Sequence, residues 1–167
     1  MARYSLTATS TTTAATADTT NLVDQTYPVV LQGGSSTMRL NINEIYMGGE
    51  SGSSAPQIMV LARDSTVAAT VTAGQTRNAV LDASNTAPGT TAVTGNATTT
   101  KPQRSATLHL LHPSFNAFGG IVRWVAPDVN SYISMIGNTA SLGEISCSAF
   151  SGGTPGLLGG HCIYESE

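Results

Sequence analysis

The sequence predicts an all-β protein, an antiparallel jelly-roll-like sandwich or barrel of about eight to ten strands with an extended N-terminal arm. Three observations point there. Short runs that alternate apolar and polar residues recur along the chain, the best of them over residues 37–47. Glycine- and proline-rich turn signals separate the runs, among them residues 33–36, Pro88-Gly89 and Gly137-Asn138. No stretch carries the i, i+3, i+4 apolar spacing of an amphipathic helix. At 167 residues the chain is most economically a single domain that can bury a real core.

The first run, residues 3–9, sets Tyr4, Leu6 and Ala8 against Arg3 and hydroxyl residues, and reads as an edge strand. Residues 9–20 are nearly all Thr, Ser and Ala and fit either an arm or a connector. The division expected is therefore residues 1–21, strand plus arm, and residues 22–167, one β domain. A second strand covers residues 27–32, with Pro28 near its start, where a missing N–H is tolerated. In the run 37–47, Met38, Leu40 and Ile42 share one face, but Ile45 and Met47 are out of phase with them. A bulge near Asn43-Glu44 would restore the common face. Residues 48–54 form a loop, and residues 57–64 a largely buried strand. Residues 65–105 read as a long excursion holding one or two short strands, of the kind that covers a partner.

Residues 107–112 are a strand stopped by Pro113, and Phe115 and Phe118 fall in the loop beyond it. The run that follows holds the only tryptophan, Trp124, expected as the core anchor with Val122 and Ala126. Arg123, on the opposite face, pairs with an acid or snorkels. Strands at 132–136 and 144–150, a glycine-rich loop at 151–160 and a closing strand at 161–165 complete the chain. Cys147 and Cys162 lie in the last two strands and could face each other; a reduced buried pair is expected over a disulfide.

Charged residues make up 10% of the chain, against an ordinary share of about 25%. The net charge is −3 with a single lysine, Lys101, so there is no basic stripe for phosphates and no direct nucleic-acid partner is expected. No apolar run approaches the roughly 18 residues of a membrane-spanning helix, and the opening residues lack a secretory apolar stretch, so cytosolic synthesis and no membrane partner are expected. Few charges with many hydroxyls suit a sheet protein that packs against neighbours, because ionic side chains cost more to desolvate.

No catalytic constellation stands out, and the expectation is no enzyme, no small-molecule substrate, no metal and no cofactor. His109 and His112 stand three apart on a strand, which turns them to opposite faces and away from a shared metal. His161 and Cys162 diverge for the same kind of reason. The glycine-rich loop ends without Lys-Ser/Thr and is no phosphate cradle. Asp64, Asp82 and Asp128 read as turn caps.

The order of motifs carries a resemblance. An Arg3-Tyr4 opening is followed by Arg39-Leu-Asn-Ile-Asn-Glu-Ile-Tyr-Met-Gly-Gly49, Leu61-Ala-Arg-Asp-Ser-Thr66, Leu81-Asp-Ala83 and Val122-Arg-Trp-Val-Ala-Pro127. This resembles the capsid decoration (cement) proteins of tailed bacteriophages, of the small jelly-roll kind. The likeness runs over most of the chain and is most specific in the Arg-Trp-Val-Ala strand and the Glu-Ile-x-x-Gly strand end. It implies a homotrimer seated on the outer surface of an icosahedral virion, bound to the major capsid protein and holding capsomer junctions together after synthesis in the host cytoplasm. On that reading the arm, with Arg3, Tyr4 and Leu6, clamps a neighbouring subunit. Loops 48–56 and 113–120, with Glu50, Phe115 and Phe118, form a second contact. The segment 151–167 and the two cysteines depart from the pattern. The rival reading is a carbohydrate-binding module of a tail spike or fibre, with Tyr46, Phe115, Phe118, Trp124 and Tyr132 as its aromatic candidates.

Overall fold

A computed structural model of the chain describes residues 2–12, 29–66, 77–85, 91–93, 103–139, 142–151 and 157–167. Among these the secondary structure is all strand, without helix. In order the strands are β1 (Ala2–Thr12), β2 (Val29–Gln32), β3 (Arg39–Gly49), β4 (Pro56–Thr66), β5 (Arg77–Val80) and β6 (Thr91–Val93). They continue with β7 (Gln103–Leu111), β8 (Ser114–Asn116), β9 (Ile121–Val125), β10 (Ile133–Ile136), β11 (Glu144–Ser151) and β12 (Leu157–Ser166). Among the described residues twelve strands thus stand where about eight to ten were expected for the chain. The excursion contributes β5 and β6, and the backbone after Pro113 pairs as β8.

Two antiparallel sheets pack face to face. The front sheet runs β10-β3-β12-β1-β5, with β9 also on β3; the back sheet runs β6-β2-β11-β4-β7, with β8 also on β4. Taking β7 with β8 and β9 with β10 as single broken strands and setting aside β5 and β6 leaves eight. In chain order, strand one then pairs with eight, two with seven, three with six and four with five. That is one long hairpin, rolled up by the further pairs β12–β3 and β11–β4. The architecture is a jelly roll. The excursion strands extend it outward, β5 beside β1 and β6 beside β2.

The alternating run of β3 behaves as its sequence demands. In the β3–β12 ladder Ile163 faces Glu44 and Tyr164 faces Ile42, so Asn43 is the extra residue of a bulge. The bulge brings Leu40, Ile42, Ile45 and Met47 onto one face, each at most 2% exposed. They meet Leu158, Cys162 and Tyr164 of β12, Met135 of β10, and Leu31, Met59, Leu61 and Ile145 from the back sheet. Across the sandwich, Nη2 of Arg63 donates to the backbone oxygen of Ser134 at 2.7 Å, tying β4 to β10. Burial of its guanidinium lowers the Arg63 pKa.

Several expectations are corrected. Strand β1 lies inside the front sheet, paired to β12 on one side and β5 on the other, because the roll-up brings the last strand against the first. The strand expected over residues 3–9 runs longer, as β1 to Thr12, and residues 13–28, which hold most of the expected arm and Pro28, lie outside those described. Trp124 packs against the core only partly buried, since among the described strands β9 pairs only with β3. The aromatic that the core closes around is Tyr164, fully buried in β12. Residues 157–160 of the supposed glycine loop are strand. Asp64 sits fully buried in β4 rather than at a turn. Asp82 and Asp128 do cap turns, accepting from the amides of Ser84 and Asn130. The cysteine-bearing strands β11 and β12 fall in different sheets. Cys162 is a buried thiol, and the Cys147 side chain lies outside those described.

Two stability changes follow. Tyr164→Ala empties a fully buried site and is expected to cost about 3–5 kcal/mol, read from denaturant midpoints at unchanged slope. Removing residues 1–12 takes out a strand paired on both sides, so the truncated chain is expected to lose its cooperative thermal transition; a sharp transition near the full-length temperature would contradict the register described.

Candidate functional site

The two loops singled out in the sequence meet at one end of the sandwich. The amide of Gly49 donates to the backbone oxygen of Gly120 at 3.1 Å, and that of Ser51 to Ala117 at 3.1 Å. The amide of Ala117 donates to Ala55 at 2.8 Å. Asn116 is the organiser. Its Oδ1 accepts from the amides of Ala55 and Phe118, both at 3.0 Å, and its Nδ2 donates to Oγ of Ser54 at 2.9 Å. Gly119 holds φ at +71°, a conformation that favours glycine, so the chain can turn directly after Phe118. At Gly49 any Cβ would overlap the backbone of Ala117, so that close approach also requires glycine. The result is a tip in which the two segments are hydrogen-bonded to each other.

Two large apolar side chains of the tip face solvent. Phe118 is 59% exposed and Ile121, at the start of β9, 61%. Glu50 is also exposed on this end. Phe115, expected beside Phe118, instead turns inward and packs against the core. Large exposed apolar side chains held on a hydrogen-bonded scaffold are what a protein-contact surface requires, because little side-chain or loop ordering remains to be done on binding. Arg3, Tyr4 and Leu6 are not part of this end: β1 places them in mid-sheet, with Arg3 opposite Glu165, and their side chains lie outside those described.

Beside the tip, the outer face of the front sheet carries a charged cluster. Nε and Nη2 of Arg123 donate to the two carboxylate oxygens of Glu44 at 2.9 and 2.8 Å. Nε2 of His161 lies 3.1 Å from Oε1 of Glu44, and its ring stacks on Tyr46 at 5.1 Å between centroids. Register explains the meeting: Tyr46 stands opposite both Arg123 and His161, with Glu44 two residues along on the same face. The two-pronged bond from Arg123 holds the Glu44 carboxyl below the usual carboxylate range, with partial burial opposing and His161 assisting. The same bond raises the Arg123 pKa. The arginine expected to pair or snorkel thus pairs, clamping β9 to β3.

The histidines predicted to diverge meet instead. Nδ1 of His109 and Nε2 of His112 are 2.7 Å apart, because the chain leaves the strand after Leu111 and swings the second ring back. Both are exposed. Among the described residues no group of three or more His, Cys, Asp or Glu side chains could hold a metal ion. Sequence reasoning missed Asn116 and Glu44. An Asn placed before Ala-Phe-Gly-Gly was the available signal for the first; the partner of Arg123 needed the ladder.

No family model and no curated protein matches the chain. A solved structure of infectious bursal disease virus, Gx strain, aligns over 97% of this chain and 41% of its own at 11% identity. This chain thus spans about two fifths of that one. The TM-score of 0.17 is too low for the superposition to carry any argument.

Because the carboxyl of Glu44 is held down in the folded protein, its contribution to stability is complete above the ordinary carboxylate range and is lost as pH falls through the depressed folded value. Arg123→Ala is expected to move the Glu44 titration, followed by carbon-detected NMR, upward, since the largest lowering cause is removed and partial burial then acts against the charge with less opposition. An unmoved titration would contradict the clamp.

Proposed function

We propose that this chain is a structural virion protein that seats on the outer surface of an icosahedral phage capsid as a homotrimer, binding the major capsid protein and bracing capsomer junctions. The observation that carries the reading is the tip: two loops knitted by backbone hydrogen bonds and Asn116, presenting Phe118 and Ile121 to solvent. The jelly roll fits this role, as does a chain only 10% charged, which can cover a partner without stripping water from many ions. On this reading the tip meets the shell and the β1 arm belongs to the fold. The exposed rings and branched side chains supply the desolvated centre of the contact, and the serines of residues 51–54 form its polar rim. No catalytic step is part of the role, and its site of action is the virion surface.

Two measurements test it. The native mass in solution is expected at three times 17.1 kDa, about 51 kDa. In co-sedimentation with capsid shells lacking the protein, Phe118→Asp is expected to weaken binding by roughly thirtyfold, the effect of losing one anchor of about 2 kcal/mol. Since Phe118 lies outside the core, the variant should fold normally. Undiminished binding by the folded variant would remove the tip from the contact.

A further inference from the structure

At the opposite end of β3 from the tip, the outer face of the front sheet holds an open cleft of about 660 Å³, within the size range of small-molecule sites. Asn41, Ser134 and Glu165 form its floor, and Arg39, Tyr132 and Glu167 its walls. Outer-face residues of a sandwich normally meet water, yet Asn41 is 5% exposed and Glu165 4%. They stand opposite each other in the β3–β12 ladder. The chain between β9 and β10 brings Tyr132 alongside them.

The polar groups of the floor are arranged rather than merely collected. Oδ1 of Asn41 accepts from Oγ of Ser134 at 2.7 Å and from Nε of Arg39 at 3.3 Å. A guanidinium only donates, so the amide oxygen is identified and the two hydrogens of Nδ2 are left. Among the described residues that nitrogen has no protein partner. Beside it, Oε1 of Glu165 accepts from Nδ2 of Asn43, the bulge residue, at 3.1 Å. Donors and acceptors therefore alternate across a buried floor, with one half-buried aromatic ring at the wall.

We infer that this cleft binds a neutral saccharide, whose hydroxyls bridge the Asn41 amide and the glutamate carboxylates while one apolar ring face lies on Tyr132. The charge pattern selects the class. Among the described residues the lining holds one arginine and two glutamates, so acceptors outnumber the fixed cation. A hard cation would need six or more oxygens and would meet a guanidinium. A polyhydroxyl ligand, donor and acceptor at every position, satisfies both kinds of group at once. The site departs from the expectation of no small-molecule ligand. It does not rest on capsid docking: Asn41 and Gly49 are eight residues apart on one extended strand, roughly 25 Å. A protein seated by its tip would keep the cleft turned away from the shell.

The test is a glycan array probed with the full chain, followed by calorimetry of the best neutral glycan against wild type, Tyr132→Ala and Asn41→Asp. Asn41→Asp keeps the acceptor for Arg39 and Ser134 but exchanges two donors for an acceptor. Saccharide binding weakened about tenfold or more in each folded variant is expected. Tyr132 lies outside the central core, so its variant keeps the test decisive if Asn41→Asp fails to fold. An array without retained glycans, or wild-type affinity in Tyr132→Ala, would overturn the inference. So would calcium chloride binding that strengthens in Asn41→Asp, since that outcome assigns the cleft to a cation.

Discussion

The pairing of β12 with β3 is the constraint on which the rest of this structure depends. It joins the last strand of the chain to the third, which converts a long hairpin into a roll and places β12 between β3 and β1. The same ladder holds the bulge at Asn43. Without that extra residue the period of two would turn Ile45 and Met47 outward, and the front sheet would lose half of β3's contribution to the core. Tyr164, fully buried opposite Ile42, is placed by the same register.

Both functional surfaces inherit their positions from β3. Its Gly48-Gly49 end is bound to the loop after β8 and forms the tip; its Arg39-Asn41 end faces the loop before β10 and forms the cleft. The bulge separates the two environments. Beyond it Glu44 anchors Arg123 and His161 on the outer face, and before it Asn41 and Glu165 sink into a polar floor. A chain with few charged side chains thus uses several of them to pin β9 and β12 to one strand.

Much of this was legible in residue order, for identifiable reasons. Period-two alternation is local, so the strand over residues 37–47, its phase slip and the split faces of the Trp124 strand could be read directly. Turn chemistry marked the breaks after β3 and before β9, although Ser114–Asn116 pairs as β8 and only the fold shows that the two segments touch. What the sequence hid is non-local. Whether β1 lies at an edge or in mid-sheet depends on where β12 returns. Tyr164 and Trp124 look equivalent until one proves central and the other marginal. His109 and His112 diverge on an ideal strand and meet only because the strand ends between them. Asn41 and Glu165, 124 residues apart in sequence, share no local pattern at all.

The most direct measurement is an electron cryomicroscopy reconstruction of capsid shells saturated with the protein. Threefold density is expected on the outer surface, into which the jelly roll fits with Phe118 and Ile121 against the shell and the Asn41 cleft facing solvent. Density that seats the molecule by its opposite end, or shells that remain bare at saturating protein, would contradict it.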